Sequence, residues 1–195
     1  MLRCFVAVEV KEQGLLRALE MAQAGLKRAF GLPDPVKWVP AHQFHFTLKF
    51  LGEVEEAAAA RALQAVERAA ASSGRFSVGL CGLGCFPTPA RPAVLWAGVA
   101  EGAEPLGRLA ALVEQEMARE GFPAERRGFK PHLTLGRVRE GAFVPRAARE
   151  ALGNAGRQEF GRFSVERVVL MKSELTPRGP IYSVYGSANL REENG

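Results

Sequence analysis

Three histidines stand in this 195-residue chain, and two of them open the same short pattern. The segment "HFTLKFLGEV" begins at His45 and "HLTLGRVREG" begins at His132, so histidine, an apolar residue, threonine and leucine are written twice. Side chains alternate between the faces of a strand, which sets His45, Thr47 and Lys49 on one face and Phe46, Leu48 and Phe50 on the other. His132 and Thr134 share a face in the same way, opposite Leu133 and Leu135. Each copy therefore predicts a polar face carried on a core-backed strand. Imidazole titrates at about pH 6.5 and moves protons at neutrality. Two of them can serve together as acid and base. Threonine hydroxyls donate to phosphate oxygens and, being uncharged, leave a neighbouring imidazole free to change its protonation. In-line displacement at phosphorus has its attacking and leaving oxygens on opposite sides, so proton-transfer groups must flank the phosphate. Two strands related by symmetry supply that arrangement.

The elements that must position these residues follow from the surrounding pattern. Arg3 to Val10 alternates as a strand, and Leu15, Leu19, Leu26 and Phe30 recur at helical spacing until "GLPDP" stops them. An alanine-rich helix is predicted over Glu55 to Ala71, with Leu63, Val66 and Ala70 on one side. "RFSVGLCGLG" and "AVLWAGVA" read as strands joined by the proline-rich turn "CFPTPARP". Leu106, Leu109, Val113 and Met117 form the stripe of the next helix. A short helix is predicted over Pro145 to Leu152, then a final pair of strands, "FSVERVVLMKSEL" and "IYSVYGSANL", around the turn "TPRGP". Hairpin-like pairs with interspersed helices argue for α+β with largely antiparallel sheets. The repeated motif suggests two similar halves about a pseudo-twofold axis.

Composition sets outer bounds. Hydrophobic residues make up 47% of the chain, enough to fill a core. No apolar run approaches the length that spans a bilayer, and "MLRCFVAVEV" carries Glu9 within a short apolar stretch and reads as a strand, which places the protein in the cytoplasm without membrane association. Cys4, Cys81 and Cys85 are odd in number and read as buried thiols in a reducing compartment. A net charge of +5 favours phosphate-bearing partners.

The two motifs, the opening "RCFVAVEV", the segment "GLGCFPTPARPAVLWAGV" and the ending "SELTPRGPIYSVYG" together resemble the two-histidine phosphoesterase superfamily. Within it they are similar to the bacterial and archaeal RNA 2′,3′-cyclic phosphodiesterase branch, also called 2′-5′ RNA ligase. The resemblance runs nearly end to end. It implies a two-lobed, pseudo-twofold α+β fold, with residues 1–195 as one bilobal domain, antiparallel sheets facing across a central cleft, helices outside, and one motif on each sheet. It implies that His132 is the general base that activates water and His45 the general acid that protonates the departing 3′-oxygen of a 2′,3′-cyclic phosphate, leaving a 2′-phosphate. Thr47 and Thr134 would hold the non-bridging oxygens. No metal or other cofactor enters the scheme, and the partner is RNA or an oligonucleotide with a cyclic phosphate end, bound by a monomer. A 5′-hydroxyl in place of water would give reversible, ATP-independent 2′-5′ ligation.

The same resemblance suggests Arg137 near the phosphate, although strict alternation sets it on the face opposite His132 and a twist or strand end is needed to bring it in. Phe50 holds the equivalent place after His45, where the family suggests contact with a base and core packing is the alternative. Lys49, by alternation, and Lys130, with Arg126 and Arg127 in the loop before the second motif, are candidates for the RNA backbone. Tyr182 matches a tyrosine of the family to which no role is given. His42 creates the spacing "HQFH", but the segment lacks further ligands and the helix of a zinc protease. Two rival classes remain at this point, an RNA-binding module without turnover and a hydrolase of another phosphoester.

Overall fold

The computed structural model describes residues 1–176 and 179–192. Nine strands and four helices follow one another as β1 (Leu2–Glu9), α1 (Gln13–Phe30), β2 (Val36–Trp38), β3 (His45–Val54), α2 (Glu56–Ala71), β4 (Phe76–Thr88), β5 (Arg91–Glu101), α3 (Ala103–Arg119), β6 (Leu133–Val138), α4 (Arg146–Asn154), β7 (Glu159–Val165), β8 (Arg167–Thr176) and β9 (Gly179–Asn189). The strands form two antiparallel sheets, one ordered β3-β1-β8-β9 and the other β2-β6-β5-β4-β7.

These orders carry the pseudo-twofold relation. The run β1-α1-β3-α2 corresponds to β5-α3-β6-α4, and in each sheet the motif strand lies beside the strand that opens its run. The first helix of each run crosses to the opposite lobe: α1 packs with α4 against β7, and α3 packs with α2 and reaches β3. Apolar faces drive this packing. Leu15, Leu19, Leu26 and Phe30 of α1 and Leu106, Leu109, Val113 and Met117 of α3 are all buried in one hydrophobic cluster that also takes in Phe46, Leu48, Leu133 and Leu135 from the motif strands. Removing such side chains from water, at roughly 25 cal/mol per Å², is what holds each motif strand from behind.

Three readings of the sequence need correction. The turn in "CFPTPARP" is confined to Pro89 and Ala90: Cys85 to Thr88 belong to β4, Arg91 and Pro92 to β5, and Pro87 pairs with Pro92. Proline is tolerated there because β7 pairs with β4 only from Phe76 to Cys81, so the rest of that edge needs no ladder donor. The run "FSVERVVLMKSEL" is two strands, β7 and β8, which break at Glu166 and belong to different sheets. Of the cysteines only Cys4 is buried, while Cys81 and Cys85 are half-buried, all three as free thiols. Pro177 and Arg178 of the turn "TPRGP" lie outside the described residues. No helix among the described residues is long and apolar enough to cross a membrane.

Candidate active site

A cavity of about 530 Å³ lies where the motif strands β3 and β6 approach each other, and His45, Thr47, Thr134 and Arg137 line it. His132 stands within electrostatic reach, since its charge is felt at His45 and the charge of Arg137 at both rings. The two histidines are held alike. His45 Nδ1–H donates to the Gln43 carbonyl at 2.7 Å, and His132 Nδ1–H donates to the Lys130 carbonyl at 2.7 Å. A carbonyl only accepts, so in each ring Nδ1 carries the proton of the neutral tautomer and Nε2 keeps the free lone pair. Aromatic rings brace both. Phe5 and Tyr182 stand 5.0 and 5.5 Å from His45, and Phe86 stands 5.1 Å from His132.

Burial, which disfavours the imidazolium, pushes both histidines below their ordinary range. At His45 the Gln43 hydrogen bond and the Glu9 carboxylate pull the other way, while Arg137 and His132 add to the lowering. At His132 the Lys130 hydrogen bond opposes burial, and Arg137 reinforces it. Glu9 therefore favours the charged form of His45 and distinguishes the two otherwise similar rings.

Each motif strand also carries a bulge at the same place. Against β1, Thr47 faces Ala7 and Lys49 faces Val6, which leaves Leu48 as the extra residue. Against β5, Thr134 faces Trp96 and Gly136 faces Leu95, which leaves Leu135 extra. An inserted residue resets the alternation. The residue five places after each histidine thus returns to the cleft side: Arg137 and Phe50 both line the cavity. Phe50 is 60% exposed there, its ring 6.1 Å from Phe5.

The reset corrects the expectation for Lys49. Its side chain turns to the helix side, is 3% exposed, and is bound by Glu114 of α3 at 2.8 and 3.0 Å and by the Pro123 carbonyl at 2.8 Å. An ammonium is tolerated in such a place only when its donors are matched in this way. Glu114 also accepts from Glu125 N–H, so Lys49 anchors the start of the loop before the second motif and does not face the cleft. The other lobe repeats the device with different chemistry. The Gln23 amide of α1, itself buried, donates to the Leu135 carbonyl at 2.8 Å and to the Val39 carbonyl at 2.7 Å. Each crossing helix therefore pins the bulge of the opposite lobe. Gly136 takes the place of Lys49, and a Cβ on it would come within 2.7 Å of Val36 Cγ1. Lys130, Arg126 and Arg127 are exposed in the loop.

Sequence reasoning missed Arg3, Phe5, Glu9, Gln23 and Phe86. Arg3 and Phe5 line the cavity and Tyr182 joins them from β9. Nothing in the local pattern of β1 separates these residues from ordinary strand positions, because only the pairing of β1 with β3 and β8 brings them to the histidine. His42 is exposed on the turn before β3 and lines a different groove. Among the described residues, no three His, Cys, Asp or Glu side chains gather as a metal's ligands.

The cleft thus gathers two imidazoles, two threonine hydroxyls and a guanidinium whose charge is felt at both rings. The profile of the 2′-5′ RNA ligase superfamily matches residues 16–177, and the chain belongs to that superfamily. Among its relatives, the RNA 2′,3′-cyclic phosphodiesterase of Aeropyrum pernix is 40% identical over 148 residues, covering 76% of this chain and 82% of that protein. The RNA 2′,3′-cyclic phosphodiesterase of Methanothermobacter thermautotrophicus is 37% identical over 181 residues, covering 93% and 95%. The crystal structure of TT0787 of Thermus thermophilus superimposes with a TM-score of 0.76 at 35% identity, covering 98% of this chain and 100% of that one.

Proposed function

We propose that the protein is a metal-independent RNA 2′,3′-cyclic phosphodiesterase that opens a terminal cyclic phosphate to a 2′-phosphate. The observation that carries this reading is the matched pair of histidines, each with Nδ1 tied to a backbone carbonyl and Nε2 left for the cleft. Two relatives that share most of their length with this chain are RNA 2′,3′-cyclic phosphodiesterases by name, which supports the choice of substrate over other phosphoesters.

In the proposed reaction the cyclic phosphate lies between the two imidazoles. His132 Nε2 takes a proton from water as its oxygen attacks phosphorus, the bond from phosphorus to O3′ breaks, and His45 Nε2–H protonates O3′. One water is consumed, His132 ends protonated and His45 neutral, and exchange with solvent restores both. Thr47, Thr134 and Arg137 donate to the non-bridging oxygens, where charge builds in the transition state. Glu9 favours the protonated form of His45 and no carboxylate acts so at His132, although burial lowers both rings and Arg137 and His132 lower His45 further. A ribose 5′-hydroxyl in the place of water gives a 2′-5′ linkage through the same proton transfers. The test is incubation with RNA ending in a 2′,3′-cyclic phosphate in a strong chelator, where the rate is expected to match that without chelator.

The pH dependence follows from the direction of the two shifts. In the free enzyme activity needs a neutral base and a protonated acid, so kcat/KM falls below the lower and above the higher macroscopic pKa of the pair. Both rings are pushed below 6.5, so the maximum of kcat/KM is expected on the acid side of pH 6.5. Glu9→Gln removes a field that raises His45 and is expected to move the alkaline limb to lower pH, with Lys11 and Arg167, which pair with Glu9, limiting the size of the move. A maximum above pH 7.5 (roughly one unit above the free imidazole) would contradict this electrostatic account.

A further inference from the structure

A second groove, of about 790 Å³, lies beside the catalytic cleft and is formed by α1 and the segment from Trp38 to His42. Val39 lines both spaces, so they adjoin. We propose that the groove holds the RNA strand 5′ of the cyclic phosphate, a proposal that rests on the function proposed above.

Three observations carry it. The first is charge. Arg17 and Lys27 of α1 line the groove together with His42, against a single lining carboxylate, Glu20; among the described residues neither cation stands within salt-bridge distance of a carboxylate, and the Arg17 charge is felt at Glu12 outside the groove. The second is that one cation is held in place. The Trp38 Nε1–H donates to Asp34 at 2.7 Å, which fixes the indole, and the Lys27 ammonium stands 5.4 Å from its ring centroid. The third is direction. A cyclic phosphate is the 3′ end of its RNA, so the rest of the strand must leave the cleft on one side. The rest of the cleft lining carries Phe50, Leu175, Pro180 and Tyr182, apolar and aromatic groups that suit a base, with Arg3 and Ser173 beside them. The Val39 side leads to the cations. The groove and the reacting strand are also mechanically joined, since Gln23 lines the groove and binds the Leu135 carbonyl at the bulge that presents Arg137.

The experiment compares wild type with Arg17→Ala/Lys27→Ala on two substrates, a 2′,3′-cyclic mononucleotide and a short oligonucleotide with the same cyclic end. Each neutralised phosphate is worth about threefold at moderate salt, so the oligonucleotide kcat/KM is expected to fall about tenfold with the mononucleotide unchanged. The slope of log kcat/KM against log salt for the oligonucleotide should shrink by about 1.4, or about 0.7 for each phosphate of a single strand that is no longer neutralised. Unchanged mononucleotide turnover also reports an intact fold. An equal loss on both substrates, or no loss on the oligonucleotide, would overturn the proposal while leaving the catalytic reading in place. Failure of wild type on both substrates would instead remove that reading, and the proposal with it.

Discussion

His45→Ala is expected to lose activity on a natural cyclic phosphate end yet to keep much of it on a substrate whose leaving oxygen is acidic enough to depart without a proton. His132→Ala is expected to be inactive on both, because water still needs its base. General acid or base catalysis contributes about 10² to 10⁴-fold, so each single loss on the natural substrate should reach that range. His42→Ala should stay near wild type, since that ring lies on the other groove. The alkaline limb of the pH profile, which reports loss of the acid's proton, should flatten with the activated substrate. Rescue of His132→Ala together with failure of His45→Ala would exchange the two roles and leave the reaction class standing. Glu9 works for His45 as the acid by favouring its protonated form, while burial, Arg137 and His132 work against it.

Arg137→Ala should produce two effects of opposite appearance. Loss of a donor from the site of charge development costs about 10² to 10³ in kcat. The same substitution removes a positive charge that lowers both histidines, so both limbs of the kcat/KM profile should move to higher pH. Arg137→Lys would keep the charge and lose the planar fork, so it should retain the wild-type limbs while recovering only part of the rate. A rate loss without movement of the limbs would show that Arg137 does not share the field of the two rings.

Much of this site was legible in the chain because its signal is local. Histidine and threonine two apart on a strand share a face whatever the strand pairs with, and two copies declare two strands. The apolar stripes of α1 and α3 and the alternation of β1 were equally plain. What could not be read was the register. The bulges at Leu48 and Leu135 exist only relative to β1 and β5, and one extra residue is enough to exchange the faces of everything after it. Alternation alone therefore sends Lys49 into the cleft, whereas it is buried on Glu114, and turns Arg137 away, whereas it lines the cavity. Gln23 illustrates a second limit. A glutamine on an amphipathic helix carries no mark of function, and its hydrogen bond to Leu135 spans 112 positions of sequence. Phe86 was hidden by the prolines around it, which suggest a turn when the strand edge is not known to be free.

The most direct test is the chemical identity of the end that the pure protein leaves on RNA initially closed as a 2′,3′-cyclic phosphate, with a chelator present throughout. Attack by water with O3′ departing predicts a 2′-phosphate and a free 3′-hydroxyl, produced by wild type and by neither single histidine variant. A 3′-phosphate, an unchanged cyclic end, or turnover that returns only when a divalent metal is added would contradict the account.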